Sequence, residues 1–452
     1  MKKIIDFFLY NKFFLLLLFL ITNFVFIYIH FTHVGWDFAV YILNAKYLIN
    51  SGYFEILRPI FPSFLIFILG LLFTFKFAGY LYVVFVTSLH LLSSYYFCKK
   101  FNFNLNLYYF LFLVPSFFLF SIFFGTELLM LSLIQFYFAF FDSAFSGLFL
   151  SLAILTRYNG LIYTPFLLSK NIKLIFKKIF YFSIPLILAG VFYFLKFGNP
   201  FISFLDNYSL NVYFRNYYSQ NFSFFHLFYI LGPLLFLTIF YFIKNFRKLN
   251  KWDYFFILFS LVTLYSYYSV PGKEARYLFN IILPFVYFSY KFVFELKEKY
   301  KLVIIGIYFI LIFVIFISLP LYPLNIETNG PEDYKLANNL TSGCMVSSNA
   351  WVFLNYYGGH SKPAPWGDLF AYEIYQGYKI ILFNSINEPE YLKNESFFWD
   401  KPLIYSNEVF SIYGTGKCRN LERIDTSYLF ILNRTVYLLY NETYNDYSFL
   451  FR

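Results

Sequence analysis

Apolar residues run along this chain in stretches long enough to cross a bilayer, broken by charges and by Gly, Pro and Asn. Eleven such stretches fall at 13–31, 59–75, 77–97, 105–124, 127–142, 147–168, 179–197, 226–243, 253–269, 277–294 and 302–320. Hydrocarbon offers the backbone no water to bond, so each is expected to be a helix. Several are short for a hydrocarbon layer of about 30 Å. After residue 320 the pattern changes. Turn residues (Asn329-Gly330-Pro331, Gly358-Gly359, Lys362-Pro363-Ala364-Pro365) mix there with scattered charge. Glu332 to Leu340 reads as a helix, and Cys344 to Ser348 and Ile380 to Phe383 as short buried strands. The expected fold is an α-helical polytopic membrane protein of about 11 crossings over 1–320, with a soluble α/β domain over 321–452.

Composition supports the membrane reading. The 452 residues are 60% hydrophobic and 13% charged, where a soluble domain is about one quarter charged. That charge cannot coat a water-soluble globule of this size. The 71 Phe and 46 Tyr read as lipid-facing and packing residues rather than a cofactor box. The net charge of +11 comes in short basic runs between apolar stretches, the positive-inside pattern rather than a nucleic-acid face. Lys2, Lys3 and Lys12, the 170–178 run, 244–251 and 297–301 are therefore expected in the cytoplasm. The loops 32–58 and 198–225 and everything after about 321 are then outside. Lys99 and Lys100 conflict with simple counting, so one stretch between 59 and 168 is expected to be re-entrant or half-length, and the side of the 125–127 turn stays open. No small-residue cleavage site follows 13–31, which reads as an uncleaved first helix. Sequons at Asn207, Asn221, Asn339, Asn394, Asn433 and Asn441 all fall in the expected outside regions. Of the three cysteines, Cys98 ends an apolar stretch. Cys344 and Cys418 share the tail and could pair on an oxidising side.

Four places carry candidate chemistry. In the first outside loop, Asp37 precedes a segment whose apolar positions from Phe38 to Leu48 recur at helical spacing, as in an amphipathic helix at the interface. Asp37 reads either as a functional carboxylate or as that helix's N-cap. Arg157 is a charge inside an apolar stretch, which marks a site or a structural ion pair with a carboxylate such as Glu127. Lys273 and Arg276 stand three apart at an outside helix start, a phosphate site or an ordinary interfacial charge cluster. Glu127 itself follows Gly125-Thr126 at a helix start. The five His are scattered, and no Walker loop, GxSxG or CxxC pattern is present.

In order and placement these features resemble the GT-C superfamily of polytopic glycosyltransferases. They are most similar to the archaeal and bacterial branch near dolichyl-phosphate-mannose–protein mannosyltransferases and the aminoarabinose transferase of lipid A. The matching residues are Asp37, Tyr41, Ala45, Gly52 and Arg58-Pro59 to Pro62 in the first loop, Thr156-Arg157-Tyr-Asn-Gly160, and Arg276-Tyr277-Leu278 with Pro284. The likeness covers roughly 1–320. The usual Asp-Glu pair is Asp37-Phe38 here, which weakens the expectation of a divalent cation (Mg or Mn) between two carboxylates, although Glu127 could supply the second.

The resemblance implies an inverting transfer from a polyprenyl- or dolichyl-phosphate-linked sugar to a hydroxyl of a protein, lipid or glycan acceptor, outside the cell membrane. Asp37 would be general base. Lys273, Arg276 and Arg157 would hold the donor phosphate, and Tyr41, Arg58 and Glu127 would contact substrate. A polymerase or ligase of lipid-linked glycans would want an Arg-rich late loop, where 198–225 has only Arg215. A transporter or flippase predicts internal repeats, which the sequence lacks. A non-catalytic membrane scaffold is the remaining alternative.

Overall fold

A computed structural model describes residues 9–32, 34–123, 125–169, 171–208, 224–269, 274–318, 330–365, 369–386 and 401–421. Lys2, Lys3, Lys170, Lys273, Arg215 and the sequons at Asn221, Asn394, Asn433 and Asn441 lie outside these residues. The chain divides into two compact units. One comprises Met1–Thr32, Ile56–Leu65 and Phe77–Leu324, the other His33–Glu55, Ile66–Lys76 and Asn325–Arg452. The first outside loop, which the sequence grouped with the helical module, thus shares a unit with the tail.

All eleven apolar stretches are helical, but not all are unbroken. Helices α1 (Lys12–Thr32), α2 (Trp36–Lys46), α3 (Phe61–Gly70) and α4 (Phe75–Phe101) come first. The stretch 105–124 is split into α5 (Leu105–Leu111) and α6 (Pro115–Phe120). Pro115 stands in the first turn of α6, where its missing N–H costs nothing. Then come α7 (Glu127–Ala139) and α8 (Phe145–Thr156), which stops at Arg157 with φ −152° and ψ 126°. A 3₁₀ run, Tyr158–Leu167, follows. Helix α9 (Ile172–Phe197) leads to the short α10 (Ile202–Tyr208). Helices α11 (Phe224–Leu231) and α12 (Pro233–Asn245) bend by 96° at Gly232, whose φ of +49° suits glycine. Helix α13 (Lys251–Ser269), a 3₁₀ turn (Ala275–Ile281) running into α14 (Ile282–Phe294), and α15 (Glu298–Ser318) follow.

Among the described residues, four helical segments are long and apolar enough to cross a membrane alone, and the bent pair makes a fifth. Their outer surfaces are apolar. On α9, Phe176, Phe180, Ile187, Leu188, Val191 and Leu195 are all exposed, as expected where lipid is the solvent. The protein is a multi-pass membrane protein.

Contacts within this unit show where each helix ends. Lys100 at the end of α4 pairs with Asp142, just past α7, and its Nζ lies 5.9 Å from the centre of the Trp252 ring in α13. The Lys178 Nζ of α9 lies 4.1 Å from the Phe141 ring. Lys291 of α14 bonds Asp253 at 2.7 Å. The basic runs around 100, 178, 251 and 291 therefore gather at one end. This removes the difficulty over Lys99 and Lys100. Helix α3 has ten residues and reaches about 15 Å, half the hydrocarbon layer. The stretch 147–168 turns back on itself: Arg157 pairs with Glu127 at the start of α7, whereas Phe166 accepts a hydrogen bond from Tyr137 near the end of α7. The half-length or re-entrant stretch expected between 59 and 168 is thus found in α3, and the further difference from the sequence reading is that 147–168 is a hairpin.

Helices α8 and α9 meet at Gly147, where an added Cβ would sit 2.0 Å from the Lys178 carbonyl oxygen. Neither backbone can yield without moving its helix. Gly147→Ala is expected to destabilise by about 1–3 kcal/mol, read as a lower thermal midpoint in detergent. An unchanged midpoint would contradict this packing.

In the second unit the tail forms α16 (Pro331–Leu340), β1 (Val346–Ser348), α17 (Trp351–Tyr356), β2 (Ser361–Pro363), α18 (Leu369–Tyr375), β3 (Lys379–Phe383), β4 (Leu403–Ser406) and β5 (Phe410–Tyr413). The sheet order is β2-β1-β3-β5-β4. β1 pairs parallel with β2 and β3, and β5 antiparallel with β3 and β4. β3 is buried throughout, so its alternating side chains fill two cores. Ile381 and Phe383 pack with Tyr334, Phe353 and Leu354, while Ile380 and Leu382 pack with Phe370 and Ile374. Cys344 and Cys418, 74 residues apart, form a disulfide. Closing a loop of that length removes unfolded-state entropy worth on the order of 4 kcal/mol.

Helix α2 belongs to this unit and differs from the expected amphipathic surface helix. Every residue from Phe38 to Ala45 is buried, and α2 packs against α17 through Trp36, Trp351 and Phe353.

Candidate active site

The candidate residues fall into two groups. Glu127, Arg157, Arg276 and Arg58 lie in the helical unit, and Asp37 and Tyr41 in the other.

In the helical unit, the break after α8 brings Arg157 out of the helical ladder. Its guanidinium pairs with Glu127, whose side chain is only 1% exposed. Glu127 also accepts from the Thr126 hydroxyl at 3.1 Å. The ion-pair alternative raised by the sequence is therefore present. Arg157 is not consumed by it. Its guanidinium carbon also lies 5.6 Å from the centre of the Tyr277 ring, and that of Arg276 lies 5.6 Å from the same ring. Two cations 119 positions apart in sequence thus share one aromatic ring. Arg276 pairs with Glu274 at 2.5 Å. The 3₁₀ turn that carries Arg276 and Tyr277 has Glu274 at its N-cap. The cluster holds two guanidinium groups and two carboxylates, where the sequence had singled out the cations and Glu127. Lys273 is outside the described residues.

Arg58 is tied to the same neighbourhood through its backbone. Tyr158 donates to Ser203 Oγ at 2.6 Å. Ser203 in turn donates to the Ile56 carbonyl at 2.7 Å and lies 3.4 Å from that of Arg58. Asn207 donates to the Leu57 carbonyl at 3.1 Å. The short helix α10 therefore fastens the 56–58 segment beside Tyr158, the residue after Arg157. Sequence reading missed α10 and its buried Asp206. The spacing of Ser203, Asp206 and Asn207, three polar residues on one helical face, was the available signal.

In the second unit, Asp37 occupies the first turn of α2 and is partly exposed. The N-cap is Gly35, with no side-chain capping bond, so the capping role weighed for Asp37 is not what holds it there. A carboxylate in the first turn is favoured by the helix dipole. Tyr41, one turn further along α2, is 4% exposed. Asn44, also unforeseen, bonds the Glu55 backbone twice, accepting from its N–H at 2.9 Å and donating to its carbonyl at 2.7 Å. This fixes the chain returning from α2. Gly52 passes under the Tyr47 ring so closely that a Cβ would lie 2.1 Å from it. Burial pushes the Tyr47 phenol up to about 12 and lowers the Lys46 amine, so Tyr47 adds no charge near neutral pH.

Among the described residues, no three His, Cys, Asp or Glu side chains converge as a metal would need.

No protein-family model and no curated protein sequence matches the chain. Among solved structures it is similar to ArnT from Cupriavidus metallidurans, crystallised bound to undecaprenyl phosphate, with a TM-score of 0.54 and 10% identity over 91% of this chain and 100% of that one. At that identity the likeness establishes the fold alone: the chain is folded like ArnT, in line with the resemblance drawn from the sequence motifs.

Proposed function

We propose that this protein is a glycosyltransferase that moves a sugar from a polyprenyl-phosphate donor to an acceptor hydroxyl on the extracytoplasmic face. The observation that carries the reading is the pairing of Arg157 and Arg276 over Tyr277 in the helical unit of a GT-C-like fold. A departing polyprenyl phosphate gains negative charge as the glycosidic bond breaks. Guanidinium groups match its oxygens in geometry as well as charge. Glu127 and Glu274 hold the two guanidiniums in place, and Lys273 is the third cation assigned to the phosphate. Arg58 and Tyr41 remain assigned to substrate, Tyr41 indirectly through the packing of α2.

Asp37 is assigned as general base. It takes the proton of the acceptor hydroxyl as the oxygen attacks the anomeric carbon from the face opposite the leaving phosphate. The transfer is a single displacement and inverts the anomeric centre. One carboxylate suffices for this chemistry.

Sidedness follows from the gathered basic runs, which belong in the cytoplasm. The N-terminus is accordingly assigned to the inside and the tail to the outside. The Cys344–Cys418 disulfide fits an oxidising compartment.

Native mass spectrometry of the purified protein tests the donor assignment. The wild type is expected to retain polyprenyl monophosphate in preference to phosphatidylglycerol, and Arg276→Ala to lose that preference. Equal retention of both lipids by the wild type would end the reading.

A further inference from the structure

We infer that the C-terminal unit acts as the positioning element for Asp37, with Trp351 and Phe353 as its positioning residues. The inference rests on the assignment of Asp37 as base. An isolated helix of 11 residues is marginal in water, so α2 takes its place from what it packs on. What it packs on is the tail. Trp36, the residue before Asp37, meets Trp351 edge-on at 6.1 Å and Phe353 edge-on at 5.4 Å. Tyr53, on the returning chain, meets Trp351 at 4.9 Å. Phe353 is rooted in the core with Tyr334, 5.4 Å away, and 1% exposed. Asn44 closes the other side of the loop on Glu55. Asp37 is therefore fixed by residues more than three hundred positions later in the chain. The loop and the tail are one folded body, and a shift of α17 carries the carboxylate with it.

A base displaced by about 1 Å loses rate without losing donor affinity, and such a displacement can cost about 100-fold. The test uses the full-length chain in lipid nanodiscs, with kcat and donor KM expressed per folded protein. Trp351→Ala is expected to lower kcat about 10- to 100-fold with donor KM within about twofold of wild type. Trp351→Phe, which keeps a ring at that place, is expected to recover kcat to within about threefold. If Trp351→Ala does not fold, Phe353→Leu stands in for it, with a smaller kcat loss of about fivefold.

A wild-type kcat in the alanine variant, or in Phe353→Leu where the alanine variant is unfolded, overturns the inference. So does a change confined to KM. A support role in folding alone would lower the yield of folded protein and leave kcat per folded molecule unchanged. Asp37→Asn is run alongside. Wild-type activity in that variant overturns the assignment of the base itself, whereas an inactive Asp37→Asn beside a fully active Trp351→Ala overturns only the positioning claim.

Discussion

Asp37→Asn is expected to lower sugar transfer about 10²- to 10⁴-fold at saturating donor, the range a general base contributes. The substitution keeps the shape of the side chain and removes its basicity. Donor KM is expected to stay near the wild-type value, because the phosphate is assigned to guanidinium groups in the helical unit. Folding should change little. A carboxylate in the first helical turn is worth about 0.3–1 kcal/mol through the dipole, and Gly35, not Asp37, is the N-cap. Initial rates with a labelled polyprenyl-phosphate sugar, alongside the thermal midpoint, check both halves. A variant as fast as wild type removes Asp37 from the reaction.

Glu127→Ala is expected to be the most destabilising single change in the helical unit. Glu127 is buried against Arg157, and removing it leaves a guanidinium without its carboxylate at low dielectric. Breaking such a pair costs about 3–5 kcal/mol. Replacing both partners by neutral groups of similar size is far less costly. The double variant Glu127→Gln/Arg157→Met should therefore melt closer to wild type than Glu127→Ala does. It also separates the two roles of Arg157. A pair that is only structural predicts a double variant that is stable and active. A guanidinium that also holds the donor phosphate predicts a stable protein with donor KM raised tenfold or more, and the latter is expected.

Apolar runs located the long helices of the helical unit, because a lipid-facing helix advertises itself through uninterrupted apolar sequence, but missed the short α10. They overcounted unbroken spans for an equally physical reason. Pro115 and Arg157 each stand alone in long apolar surroundings, so the stretches that hold them pass as continuous, and only the backbone reveals that Arg157 leaves the helix. The half-length α3 was legible indirectly, through the misplaced Lys99 and Lys100. Arg157 and Glu127 were legible as costly charges, and their pairing was among the stated alternatives. Tyr277, the ring shared by two guanidiniums, was quoted only as part of a motif. Nothing in one sequence distinguishes it from 45 other tyrosines. The fate of α2 was not legible. Its apolar residues fit a membrane-surface helix as well as a buried one, and the partner that buries it lies more than three hundred residues away.

In the proposed reaction a polyprenyl-phosphate-linked sugar is consumed with Asp37 as base. The most direct test is turnover of a radiolabelled polyprenyl-phosphate sugar by the purified wild type in nanodiscs with membrane extract as acceptor. Release of polyprenyl monophosphate in step with a glycosylated product of inverted anomeric configuration is expected, and loss of both in Asp37→Asn. Intact donor after incubation across a panel of such sugars, or donor appearing unchanged on the opposite leaflet of a sealed vesicle, would contradict it.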